Sequence, residues 1–134
     1  DKVLANMAIA RSYKNKDQCE LAITQYRTII ALSKSAYAAE ARYEIAHCYY
    51  LQNKFSDAEK AAFEVINKAG SYEDWVTRAY VLLGDVYMKT KDYFNAKATY
   101  QSVVDNAKIE TVRQEAVKKL AIATEEERKS SKLE

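Results

Sequence analysis

His47 is the only histidine in the chain, and it stands beside Cys48, the nearest this sequence comes to a nucleophile with its base. A Cys-His dyad needs thiol and imidazole within hydrogen-bond reach, whereas consecutive residues on a helix point about 100° apart. The neighbours therefore do not face each other. A lone histidine also excludes a two-histidine metal site, and fits a residue that lines a groove or bonds locally. Asp85 with Glu40 or Glu44 would make an acid pair for proton transfer, yet charged residues on helices are ordinarily a solvated face. Gly84 lies in no glycine-rich run and no Lys-Ser/Thr follows it, so it is a packing glycine and not part of a phosphate loop. Cys19 and Cys48 have neither CxxC spacing nor the companions of a disulfide scaffold, and are expected as buried or half-buried free thiols. With no catalytic constellation, no cofactor motif and no metal cluster, the expectation is a non-catalytic protein that carries no cofactor.

Proline is absent from the 134 residues and glycine occurs twice, at Gly70 and Gly84, which is the composition of an all-helical chain. Hydrophobic residues make up 49% of it, enough to build the core of a single domain. No run approaches the roughly 20 apolar residues of a membrane span, so direct membrane insertion is not expected. The net charge is +2 with both signs interspersed, which lacks the basic footprint of a nucleic-acid binder. A start at Asp1 suggests a processed or excised piece, and localisation is left open. Leu133-Glu134 is set aside as an expression scar.

A period organises the chain. Ala10, Ala46, Gly84 and Ala121 are spaced by 36, 38 and 37 residues. Ile9, Ile45, Leu83 and Leu120 precede them, Ala5, Ala41, Ala79 and Ala116 lie five residues before, and Tyr13, Tyr49 and Tyr87 lie three after. Twelve residues after the small position come Ala22, Ala58 and Ala96, followed by Tyr26, Ala62 and Tyr100 and by Ile29, Val65 and Val103. Each unit is thus a helix hairpin with a polar turn: Asn15-Lys16-Asp17, Gln52-Asn53-Lys54 and Thr90-Lys91-Asp92. Asp17 and Asp92 are expected to cap the second helices. Gly70 reads as a C-cap, and Ser71-Tyr72-Glu73-Asp74 resembles a capping box. At Asp1 the chain enters helix with no polar cap evident, which would let repeats continue upstream. Gly84 falls where the two helices of a hairpin cross most closely, the place alanine fills in the other repeats.

These columns resemble the tetratricopeptide repeat, a helix-turn-helix unit with a small residue, a tyrosine, an alanine and an aromatic at the same relative positions. The resemblance implies an all-α fold, a right-handed superhelical stack of three antiparallel hairpins (residues 3–36, 39–74 and 77–109) and a capping helix over 110–129, in one domain spanning 1–132. Departures are the fourth-position aromatic, kept only as Tyr80, and the late proline, replaced by Lys34, Gly70 and Lys108. The lengthened junctions between hairpins look like those of tetratricopeptide proteins of bacterial cell envelopes, which favours periplasm or envelope over cytoplasm.

In this family the first helix of each hairpin lines a concave surface that binds another protein or a peptide segment. Spacing of three and four residues places Met7, Arg11 and Lys14 there in the first repeat, Glu40, Tyr43, His47 and Tyr50 in the second, and Arg78, Val81, Asp85, Met88 and Lys89 in the third, with Lys118 on the capping helix. Tyrosine, methionine and arginine are the types enriched at interface centres. Tyr43 and Tyr50 also suit packing on neighbouring hairpins, and Met7 and Met88 suit groove and core equally. The lysine and asparagine positions of the family's carboxylate clamp hold Met7, Arg11 and Glu44, and its third-repeat lysine and arginine positions hold Arg78 and Leu82. An internal helix or extended segment is therefore expected as ligand, and not a peptide C-terminus. The other reading is a structural spacer or self-associating segment of a larger repeat protein, as a homodimer or with adjacent repeats covering Val3, Leu4 and Met7.

Overall fold

With no proline to interrupt it, the backbone runs as helix between polar turns, and the computed structural model, which describes residues 1–132, is all-α. Its helices are α1 (Lys2–Asn15), α2 (Cys19–Leu32), α3 (Ala36–Leu51), α4 (Phe55–Lys68), α5 (Glu73–Lys89), α6 (Tyr93–Asn106) and α7 (Glu110–Lys132). The first six form the three expected hairpins and α7 is the single helix expected after them. Leu133 and Glu134, read as an expression scar, lie outside the described residues.

One left-handed residue makes each hairpin turn: Asp17 (φ 60°), Asn53 (φ 60°) and Lys91 (φ 61°). The equivalent residues that follow, Gln18, Lys54 and Asp92, are the N-caps of α2, α4 and α6. The expectation for Asp17 is thereby corrected, because Asp17 is the turn residue and Gln18 caps α2 without a side-chain bond. Asp92 does cap, its Oδ1 accepting from the Asn95 amide at 3.3 Å. A second correction concerns α1, which has a polar cap after all: Asp1 Oδ1 accepts from the Val3 amide at 2.7 Å. Gly70 (φ 60°) follows the C-cap Ala69 in the left-handed conformation that ends α4.

Aspartate and asparagine tolerate the left-handed region because a short polar side chain bonds locally, whereas for an ordinary residue it costs roughly 1–2 kcal/mol. Lysine is the ordinary residue among the three turns. Lys91→Gly is therefore expected to stabilise the protein by about 1 kcal/mol, less than the full relief because glycine is freer in the unfolded chain. A urea midpoint that stays put or falls in the variant contradicts this.

The chain divides into two compact units, Asp1–Ala79 and the residues from Tyr80 onward, with the boundary inside α5. In the first, Met7, Ala10, Ile23, Tyr26, Ile29 and Ile45 are buried between α1, α2 and α3, and a smaller cluster of Ala39, Val65, Ala69 and Ala79 lies under Trp75 and Val76. In the second, Val81, Ala96, Tyr100, Val103, Val112 and Ala116 pack together.

Ala22, Ala58 and Ala96 are 0% exposed, as a column at a helix crossing should be. Two columns break. Ala121 is exposed while α7 buries Val112, Ala116 and Ala123, because a small residue is needed only where a helix crosses its hairpin partner and α7 has none among the described residues. Ala5 and Ile9 are exposed where their counterparts Ala41 and Ile45 are buried in the cluster shared with α2, since no described helix covers that side of α1.

Candidate protein-binding face

The face of the first unit that could meet a partner is built on α1 and α3. Residues 11 and 14 of α1 and 40 and 44 of α3 are spaced to meet across the two helices, and they do so as ion pairs. Arg11 grips Glu40 with two prongs, Nη2 donating to Oε1 at 2.9 Å and Nε to Oε2 at 3.1 Å. Lys14 Nζ donates to Glu44 Oε2 at 2.5 Å. The carboxylate of Glu40 raises the affinity of Arg11 for its proton through this hydrogen bond. Arg11 is the exposed partner of its pair, whereas Lys14 and Glu44 are both partly buried, and together the pairs fix two long side chains of each sign in place.

Beside them runs an aromatic row. Tyr43 and His47 stack at 6.0 Å between ring centroids with 25° between planes, and His47 and Tyr50 at 6.4 Å and 20°. One α-helical turn between successive rings produces this stacking. Trp75, in the first turn of α5, leans on Tyr43 at 5.6 Å, and Phe55, the first residue of α4, meets Tyr50 edge-on at 5.9 Å. Arg78 lies over the Trp75 ring, its Cζ 4.9 Å from the centroid. The tyrosines, the histidine, Phe55 and Trp75 are all half-buried and Arg78 is exposed. Tyr43 and Tyr50 thus pack on neighbouring elements and keep part of their surface outward. Trp75 and Phe55 went unnoticed in the sequence, although the lone tryptophan at a helix start was a signal for the first.

Met7 belongs to neither the ion pairs nor the row. It is 0% exposed, held in the core between α1, α2 and α3, so its side chain does not reach the surface.

In the second unit Asp85 is a structural hub. Its Oδ1 accepts from the Tyr100 hydroxyl at 2.5 Å, and Lys119 Nζ donates to Oδ1 at 2.9 Å and to Oδ2 at 2.8 Å. Lys119 also pairs with Glu115 at 2.9 Å. Burial works against the Lys119 charge, but Asp85 and then Glu115 outweigh it and hold the ammonium above its ordinary range. Lys118, expected on the capping helix as a groove residue, is exposed beside Lys119. The buried stripe of α7 at 112, 116 and 123 would have pointed to 119 by its spacing. Val81 is 6% exposed and packs in the core of this unit, Met88 is partly buried against it, and Lys89 is exposed.

Gly84 has its reason in the same network. An added Cβ would lie 2.7 Å from Tyr100 Cδ1, 2.8 Å from Cζ and closer still to Cε1. The bond to Asp85 draws the ring over the glycine. In the first repeat the same column holds Ala10, the residue after it is Arg11, which is turned to Glu40, and the Tyr26 hydroxyl has no protein partner. Without that tether alanine is accommodated.

Glu40, Glu44 and Asp85 are each held by a cation, and among the described residues no cluster of three or more histidines, cysteines or acids could hold a metal ion. No described helix is long and apolar enough to cross a membrane. Cys19 and Cys48 are free and buried as expected, but they are also partners: burial, followed by a hydrogen bond with Cys19, pushes the Cys48 thiol far above the ordinary thiol range.

Residues 77–108 match the sequence model of the tetratricopeptide repeat. Two crystal structures of MamA share the fold, one at 22% identity with a TM-score of 0.64 over 97% of this chain and 81% of that one, the other at 22% and 0.63 over 98% and 76%. No curated protein matches by sequence. The repeat match includes α6 and most of α5, the hairpin that holds Gly84 and Tyr100.

Proposed function

We propose that this protein is a non-catalytic protein-interaction scaffold whose α1–α3 face holds a segment of a partner protein. The observation that carries the reading is the row Trp75, Tyr43, His47, Tyr50 and Phe55, half-exposed and stacked beside fixed charges of both signs. Aromatic rings on a rigid support give large contact area at little entropic cost, and the neighbouring ion pairs supply directional contacts for the polar groups of a peptide. An internal helix or extended segment with apolar or aromatic side chains fits such a face.

Tyr43→Ala with Tyr50→Ala should lower affinity for the captured partner by roughly 30-fold or more, the scale of losing interface hot-spot residues. The test is capture from lysate of the source cell with the native protein and with this variant, each verified as helical by circular dichroism, followed by measured affinity for the captured protein. Equal capture by both, or by neither, overturns the reading.

A spacer or self-associating segment is the second reading, and one observation favours it: Leu4, Ile9 and Leu21 are 49%, 42% and 48% exposed on the first hairpin, more than a solvated face needs.

A further inference from the structure

We infer that the side of α1 carrying Leu4, Ala5, Ala8 and Ile9 is a docking surface for a second copy of this chain, the two copies joined through a two-fold axis as an antiparallel pair of α1 helices. The inference rests on the self-associating reading and names its surface, which uses none of the residues of the aromatic row. Spacing of three and four residues brings these four side chains and Ser12 to one side of α1, and all of them are exposed. One period further on, Ala41, Ile45 and Cys48 stand for Ala5, Ile9 and Ser12, and they are buried where α2 packs on α3. The exposed side of α1 is thus the surface on which, in the next repeat, a helix docks.

The neighbouring columns say what kind of helix fits. The counterparts of Leu4 and Ala8 are Glu40 and Glu44, which hold Arg11 and Lys14 of the preceding first helix. A hairpin of this chain's own kind set on α1 would offer cations at those two places and meet a leucine and an alanine. In the second repeat Asp57 lines a cleft with Ile45 and Tyr49. The counterparts in the first repeat are Leu21, Ile9 and Tyr13, so the exposed Leu21 borders the same face, and again an acid gives way to an apolar residue. The face is apolar where the stacking of α3 on the first hairpin is ionic, and its partner must be apolar there too. Its own sequence supplies that match, because the order large, small, small, large at Leu4, Ala5, Ala8 and Ile9 is symmetric about the midpoint between Asn6 and Met7. A two-fold axis through that midpoint sets Leu4 of one copy against Ile9 of the other and Ala5 against Ala8. The small residues let the two backbones approach while the large ones close the flanks. Asp1 falls opposite Ser12, and at the margin Lys2 falls opposite Arg11, whose charge Glu40 neutralises.

The test is sedimentation equilibrium of the full chain from micromolar to submillimolar concentration, with Ile9→Glu alongside, and disulfide trapping in an equimolar mixture of Ala5→Cys and Ala8→Cys. The native protein should show a monomer–dimer equilibrium. Ile9→Glu changes a residue that is exposed in the single chain, so it should keep its helicity by circular dichroism and weaken the dimer roughly 100-fold, since the substitution acts twice across a two-fold axis. The mixture should yield a disulfide joining positions 5 and 8 of different copies, identified by peptide map. A monomer at every concentration overturns both this inference and the self-associating reading. A dimer that a helical Ile9→Glu leaves intact, or that gives no link between positions 5 and 8, overturns the inference alone, as does growth beyond a dimer, which a closed two-fold pair excludes. Should Ile9→Glu lose helicity, the trapping decides.

Discussion

Gly84→Ala is expected to destabilise the protein by about 1–3 kcal/mol, although alanine is the better helix former by about 1 kcal/mol. The sign is set by the Tyr100 ring, which is 1% exposed and occupies the space a methyl group would need. The ring cannot swing aside freely, since its hydroxyl is bonded to Asp85 at 2.5 Å and its flanks pack in the core of the second unit. Either the ring or α6 must move, and both motions give up packing that the helix-propensity gain does not offset. Chemical denaturation compares the two proteins directly, and an unchanged or higher stability in Gly84→Ala would show that the contact is not tight. Coupling sharpens the comparison. In Tyr100→Ala the ring is gone, so adding Gly84→Ala should cost nothing further and recover the helix-propensity gain.

Asp85→Ala should cost about 2–3 kcal/mol. It leaves the Tyr100 hydroxyl, in a residue with almost no solvent exposure, without its acceptor, and leaves Lys119 half-buried without its main counter-charge. An unsatisfied buried hydroxyl costs about 1–3 kcal/mol, and a cation orphaned in a partly wet site adds to that less than the 3–5 kcal/mol known for fully buried pairs. Asp85→Asn is the informative companion, because an amide oxygen can still accept from the phenol while the charge is lost. It should fall between the native protein and Asp85→Ala. If both variants unfold at the native urea midpoint, Asp85 belongs to a solvated face and holds nothing together.

The hairpin columns were legible in the sequence because each depends on one helical period and one crossing point. Ala22, Ala58 and Ala96, Tyr26 and Tyr100, and Ile29, Val65 and Val103 are buried where the spacing put them. The turns slipped by one residue at Asp17 because aspartate suits both an N-cap and a left-handed position, and only the backbone distinguishes them. On α7 the small-residue column misled: Ala121 is exposed, since that helix buries the stripe Val112, Ala116 and Ala123 against α6 and has no hairpin partner among the described residues. The pairing of Arg11 with Glu40 and of Lys14 with Glu44 joins long side chains with several reachable partners, so residue types alone did not specify it. That Cys19 and Cys48 share one buried cluster depends on how one hairpin lies on the next, which no local pattern encodes.

The central claim is that a partner segment lies on the α1–α3 face beside the aromatic row. It is tested most directly by titrating the isotopically labelled protein with the captured segment while following its amide and aromatic NMR signals. The expected result is saturable shifts centred on Arg11, Glu40, Tyr43, His47, Tyr50, Trp75 and Arg78, with the outward residues of α2 and α4 unmoved. Shifts centred on Leu21 or Phe63, or no shifts with a segment that binds the protein by calorimetry, would contradict it.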